Sequence, residues 1–252
     1  SGPIIVKNGK ERKALNFNFN GWAKYSNYKL DRHVPEKISQ FLQVPLEQVK
    51  YKGKPVVLEG GAIDVNGKGT LITSEECLLD TKIQVRNPGF GKADYEAIFK
   101  EYLGVTHTIW LGDGIKGDDT HGHIDDLARF VNDNTIVTVV ESDKKDPNYG
   151  ALQDNLKRLE NAVLEDGSKP RIVTLPMPSP IHFDGIVIPA SYANFLILNR
   201  AVLVPTFNDS RDREALNILA GVFPDREVIG ISAIDLIWGF GTLHCLSQQI
   251  PD

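Results

Sequence analysis

Apolar and polar positions along the chain follow a grammar that repeats. Two short apolar runs flank an Asn-containing turn, a stretch with helical apolar spacing follows, and another apolar run closes the unit. The clearest copy begins at Ala62-Ile63-Asp64-Val65, turns at Asn66-Gly67 and resumes at Thr70-Leu71-Ile72. Asn-Gly between apolar runs is the strongest short hairpin signal, because both residues tolerate the positive φ of a type I′ turn. The spacing then predicts a helix over 93–103, with Tyr95, Ile98, Phe99 and Tyr102 on one face, and a strand over 106–111.

The same order recurs twice downstream. Runs 127–131 and 136–140 flank Asn132-Asp133-Asn134, a helix near 148–164 aligns Leu152, Leu156, Leu159 and Val163, and a strand follows over 171–175. Runs 195–198 and 202–205 flank Asn199-Arg200, before a helix over about 210–222 capped by Asp209 or Ser210 and a strand over 227–231. An upstream copy turns at Asn8-Gly9 and places its helix near 32–43. Turns near 66, 133 and 199 set a period of roughly 66 residues. A ββαβ unit buries its helix against one side of a small sheet, and copies set radially bury a common core. The prediction is an α+β propeller of ββαβ repeats, with four repeats visible and a last strand over 243–249. These form a single catalytic domain over 1–252, and part of a further unit is expected before Ser1.

Composition narrows the partners. The 252 residues carry a formal net charge of -5 without a Lys/Arg cluster, so neither nucleic acid nor an anionic membrane surface is expected. No window approaches the ~18 continuous apolar residues of a membrane span. Cys77 and Cys245 are too few for a disulfide framework and suit a reducing cytoplasm. The chain opens at Ser1 without a methionine, so the start of translation is expected upstream.

Three polar islands interrupt the apolar pattern: Glu59-Gly60-Gly61, residues 118–126, and Gly239 to Cys245. The first two precede their hairpin turns at similar distances, so radial repeats would bring Glu59, His123 and Asp125 into one cavity. Each residue has a plainer reading. Glu59 fits a turn, His123 fits a satisfied half-buried histidine, and Cys245 fits a small buried apolar residue. Cys77, beside Glu75 and Glu76, is read that way, because acidic neighbours disfavour a thiolate.

His121-Gly122-His123-Ile124-Asp125-Asp126 is similar to the zinc motif of metallo-β-lactamase-type hydrolases. The usual last histidine is Asp126 here, however, and no further ligand histidines follow at suitable spacing. No residue is therefore assigned to a metal. Nucleophilic catalysis by Cys245 with a histidine brought close in space is the other reading. Carboxylates beside an attacking thiolate make sense when the substrate is a cation that neutralises them. A guanidinium is planar, permanently charged and forked, and carboxylates grip it bidentately.

The islands, together with Leu71 to Leu78, Ser191-Tyr192-Ala193-Asn194-Phe195, Phe223-Pro224-Asp225-Arg226-Glu227-Val228 and Gln248-Gln249, resemble the agmatine deiminase and bacterial peptidylarginine deiminase family. The resemblance covers almost the whole chain. It implies a five-bladed ββαβ propeller, the pentein fold, with five-fold pseudosymmetry. It also implies Cys245 as nucleophile, His123 as general acid–base, Glu59 orienting His123 and Asp125 holding the guanidinium. Asp119, Phe240 and Asn194 join Asp125 as candidate substrate contacts, and no cofactor is needed.

Three departures from the family pattern stand out. Only Ser1-Gly2-Pro3 remains of a Trp-x-Arg-Asp-x-Gly-Pro segment, His121 follows Asp119-Thr120, and Phe240 replaces a usual glycine. The last two fall where a substrate's tail would be read. The expected partner is a small cationic guanidine, foremost agmatine, giving N-carbamoylputrescine and ammonia. Peptidyl-arginine, another arginine derivative, amidino transfer, an inactive guanidine-binding relative and a zinc hydrolase stay open as alternatives, as does assembly into a homodimer.

Overall fold

The computed structural model describes residues 1–251, and four sheets of identical topology carry the chain. In the first, β1 (Ile4–Asn8) and β2 (Glu11–Asn16) form a hairpin, α1 (Val34–Leu42) crosses over, and β3 (Leu46–Gln48) returns parallel to β2. A small hairpin of β4 (Lys50–Tyr51) and β5 (Lys54–Pro55) leads onward. The second unit is β6 (Asp64–Val65), β7 (Thr70–Ser74), α2 (Glu75–Leu79), α3 (Lys92–Leu103) and β8 (His107–Leu111). The third is β9 (Ala128–Phe130), β10 (Thr135–Val140), α4 (Tyr149–Asn161) and β11 (Arg171–Pro176). A second hairpin, β12 (Ile181–Phe183) and β13 (Ile186–Ile188), precedes the fourth. That unit is β14 (Leu196–Ile197), β15 (Ala201–Thr206), α5 (Asp212–Val222) and β16 (Glu227–Ser232).

Local chemistry explains the repeats. At the β6–β7 turn, Asn66 Oδ1 accepts the backbone N–H groups of Lys68, Gly69 and Thr70, while Gly67 takes φ +73°. The middle strand of each unit is paired on both sides, and β7 is buried along its whole length. Tyr95, Ile98 and Phe99 of α3 are fully buried, as their spacing predicts. One core cluster joins the first two units through Leu15, Leu71, Ile98 and Phe99. A second runs from Ile72 and Leu111 of the second unit into the last two through Ile136, Leu152, Val204 and Leu219.

The starts of successive units meet. Arg129 in β9 lies 3.4 Å from Asp64 in β6 through Nε and donates from Nη1 to the carbonyl of Phe195, just before β14. Phe130 N–H also donates to Asp64. Segments that precede these first strands are therefore delivered to one place.

Some expectations fail. Residues 243–249 form turns, not a strand: Leu246 N–H bonds Thr242 O, and Ser247 N–H bonds Ser247's neighbour three back, His244 O. The side chain of Asn194 accepts the N–H groups of His244 and Cys245, which a ladder would have needed. Helix α5 begins after Arg211 without a side-chain cap, and Asp209 instead accepts the N–H of Arg211. Helix α4 stops at Asn161, leaving Val163 exposed outside the helix, ahead of a turn in which Leu164 N–H bonds Ser168 O. The β12–β13 hairpin and α2 were not anticipated. Among the described residues, no helix is long and apolar enough to cross a membrane.

Candidate active site

Glu59 and His123 occupy matching places in consecutive repeats. Each is extended (φ -99°, ψ 151° and φ -60°, ψ 139°), and each leads into one turn of 3-10 helix, Gly60–Ala62 or Ile124–Asp126. The two turns face each other closely. A Cβ at Gly61 would lie 2.7 Å from His123 Nδ1 and 3.0 Å from Asp125 Oδ2. The second glycine of Glu59-Gly60-Gly61 is thus the room that lets the histidine and the aspartate approach. Asp118 shapes the loop before His123, accepting from the N–H groups of Thr120, Gly122 and His123 and from the Thr120 hydroxyl. Gly122 turns there at φ +83° against Ser74 and Glu76, where a side chain has no space.

His123 Nε2 stands 3.6 Å from Glu59 Oε2, and its Nδ1 is 3.9 Å from Asp125 Oδ1. The other Glu59 oxygen is held by Arg86 Nε at 3.2 Å, in a pair with almost no solvent exposure. Arg86 also donates to the carbonyls of Gln84 and Thr120, tying the Glu59 carboxylate to the histidine loop. Burial disfavours a charged Glu59, but Arg86 and His123 outweigh it and hold the carboxyl at about 2. Burial likewise opposes a charged His123, yet Cys77 and Glu59 raise its pKa well above the ordinary imidazole value. Arg86 could not be found by sequence reasoning, since nothing in its local segment marks it.

Across from this pair sits the thiol. Cys245 is exposed as a residue, but its Sγ is turned inward, 3.3 Å from Asp125 Oδ2 and 3.0 Å from Asn194 Nδ2. Asp125 Oδ2 also meets His244 Nδ1 at 2.7 Å, and His244 Nε2 meets the Gln249 amide nitrogen at 2.7 Å. Asn194 ties the Cys245 loop down through its Oδ1, which accepts from Thr242 Oγ1 and from the backbone of His244 and Cys245. Gly241 passes so close that a Cβ there would sit 3.0 Å from the Cys245 sulfur. Burial, opposed by His244, leaves Asp125 ionised with a pKa of about 2. Burial of the sulfur and the charges of Asp125 and Asp126 push the Cys245 thiol well up, despite help from Asn194. Burial and Asp125 likewise push up Asp126, whose Oδ1 accepts from Asn194.

Glu59, His123, Asp125, Asn194 and Cys245 therefore converge. Asp119 has its carboxylate taken up by Lys24 at 2.5 Å and by the Tyr25 hydroxyl at 2.8 Å. Phe240 packs partly on the core at φ +61°, a left-handed conformation that suits a glycine, and hands the chain to Gly241 beside Cys245. His121 is a neighbour of the site: its Nε2 meets Asp80 at 2.8 Å and its Nδ1 meets Glu76 at 3.4 Å. Cys77 is buried as read, but it lies against the site, and its sulfur, a Glu59 oxygen and a His123 nitrogen all fall within 4.8 Å of one another. The sequence signal for that contact was present only in the resemblance covering Leu71 to Leu78. Asp125, Asp126 and Cys245 form a second such group.

An ionised carboxylate, a cationic imidazole and a thiol that ionises reluctantly make a site that suits a cation reacting at carbon. On repeated ββαβ units this defines an amidine hydrolase of the pentein kind. The fold is shared with a dimethylarginine dimethylaminohydrolase structure (TM-score 0.54, 14% identity). The model of the Porphyromonas-type peptidyl-arginine deiminase family matches residues 1–251, and the chain belongs to that family. It is similar to a solved agmatine deiminase of Enterococcus faecalis, with TM-score 0.93, 33% identity, and 99% of this chain and 73% of that one covered. A C. jejuni agmatine deiminase matches with TM-score 0.83 and 33% identity over 97% of this chain and 69% of its own. A Yersinia pestis protein provisionally named as an agmatine deiminase is 35% identical over 274 aligned residues, spanning 100% of this chain and 73% of its own.

Proposed function

We propose that the chain hydrolyses a guanidinium group through a covalent intermediate on Cys245, with agmatine as substrate and N-carbamoylputrescine and ammonia as products. The observation that carries this reading is the placement of the Cys245 sulfur 3.3 Å from the ionised Asp125, opposite His123. Anionic neighbours keep the resting thiol protonated, and a bound guanidinium offsets them and favours the thiolate where it is needed.

Asp125 pairs with the guanidinium, the Cys245 thiol gives up its proton to solvent as the cation binds, and the thiolate attacks the central carbon. His123, cationic at rest, passes its proton to the departing nitrogen, and the C–N bond breaks to release ammonia. The remaining amidino-thioester cation stays on sulfur. Neutral His123 then takes a proton from water, hydroxide adds to the same carbon, and the C–S bond breaks as the hydroxyl proton passes to the leaving sulfur, giving the urea and the Cys245 thiol. Glu59, fixed by Arg86, orients the imidazole and stabilises its charged form. General acid–base help of this kind supplies about 10²–10⁴-fold.

The test is release of ammonia and ureido product from agmatine, beside Cys245→Ala. Turnover that disappears in the variant supports the reading; undiminished turnover overturns the nucleophile. The family description favours peptidyl-arginine as a second reading. An Arg-containing peptide run in parallel separates the two, because turnover of the peptide and not of agmatine reassigns the substrate.

A further inference from the structure

We propose that Glu59, Cys77 and His123 form a binding site for a zinc-like divalent ion, and that occupancy switches the enzyme off by removing His123 from acid–base service. The three donor atoms, one O, one S and one N, all lie within 4.8 Å of one another in the interior. Glu59 Oε2 and His123 Nε2 are buried without a hydrogen-bond partner, and they face each other at 3.6 Å. That separation suits two ligands on one tetrahedral ion, whose bonds to N and O are about 2.0–2.2 Å. Three protein ligands with the fourth position left to water is the arrangement of catalytic zinc sites, and carboxylate O, thiolate S and imidazole N all serve as zinc donors.

The surroundings prepare these ligands. Arg86 holds Glu59 Oε1 and so leaves Oε2 free toward His123. Asp125 Oδ1 lies 3.9 Å from the other imidazole nitrogen, beyond hydrogen-bond distance but close enough to favour the ring's positive form. One carboxylate and one thiolate neutralise the ion's two charges, and Arg86 remains paired with Glu59. The other group, Asp125, Asp126 and Cys245, is poorer. It offers no imidazole, Asp125 Oδ2 is engaged by His244, and Asp126 accepts from Asn194. The site stands without the deiminase reading, and only the loss of turnover rests on it.

Metal-free protein is titrated with Co²⁺ and, separately, with Zn²⁺ against a chromophoric chelator, using the wild type, Cys77→Ser and Cys245→Ser. The expected result is one equivalent bound and a thiolate-to-cobalt charge-transfer band in the wild type and in Cys245→Ser. Cys77→Ser lacks the band and binds zinc ~100-fold or more weakly. Measured against its own rate in chelator, it loses less turnover to added zinc than the wild type does, and Cys77→Ala serves if the serine variant does not fold. A band that persists without Cys77 and vanishes without Cys245, or no stoichiometric binding, overturns the site. Absence of turnover with both agmatine and the Arg-containing peptide in the metal-free wild type sinks the deiminase reading and leaves the cobalt spectrum to decide this one.

Discussion

The methyl group that Gly61 lacks would sit 2.7 Å from Nδ1 of His123. Gly61 does not have a positive φ, so alanine meets no backbone objection and the conflict is purely with the imidazole and the Asp125 carboxylate. Gly61→Ala is expected to fold and to lose ~10²-fold or more in kcat, since displacements of about 1 Å from productive geometry cost that much. Steady-state kinetics beside a thermal melt check this. Wild-type kcat would show that His123 is not held where the mechanism needs it.

Arg86 contributes in a different way. Its replacement by methionine strands a buried carboxylate, and losing one partner of such a pair costs about 3–5 kcal/mol. Glu59 ionises at about 2 in the fold against an ordinary 4.5, so its contribution is complete above the unfolded value and disappears as pH falls through the folded one. Wild-type stability should therefore decline between about pH 4.5 and 2. In Arg86→Met the Glu59 share of that slope should flatten or reverse, leaving the Asp125 share. Urea midpoints across this range measure it, and parallel slopes for both proteins would show that the ion pair is energetically silent.

Much of this organisation was legible in the chain. Asn66-Gly67 and the helical stripe at Tyr95, Ile98 and Phe99 report local physics, and local physics survives into the fold. Glu59 and His123 could be brought together because the repeat places them equivalently. Arg86 and Cys77 could not be assigned to the site, because their positions depend on contacts between segments distant in sequence. The failed strand over 243–249 has the same cause. Its apolar residues suit a ladder, but Asn194, from another unit, takes the N–H groups of His244 and Cys245. Asp184-Gly185 was readable, since it joins the apolar runs of β12 and β13 at φ +47° and +78°.

His121 and His123 separate by what they face. His121 bonds Asp80 and Glu76 at the edge, and His123 stands between Glu59 and Asp125. His123→Ala is expected to reduce kcat by about 10²–10⁴-fold, the usual worth of general acid–base help, and His121→Ala to cost under about tenfold. The His121 variant should also raise the Asp80 pKa from about 2, because His121 is one of the groups that lower it. Kinetics and carboxyl titration by NMR test the pair. Equal losses in kcat would remove the special role of His123.

The ionisation of Cys245 is set by neighbours that pull in opposite directions. Burial comes first among the causes that raise its pKa, followed by Asp125 and Asp126, while the hydrogen bond from Asn194 lowers it. Alkylation by iodoacetamide reads the thiolate directly, and Cys77 is too buried to compete. Asp125→Asn should move the alkylation midpoint to lower pH by removing an adjacent charge. Asn194→Asp should move it to higher pH, since it replaces a donor 3.0 Å from the sulfur with an acceptor. A charge change in either variant that left the midpoint unmoved would mean that the thiol ionises independently of the carboxylates. Activation by a cationic substrate would then lose its physical basis, because that activation is the same electrostatic coupling read in reverse.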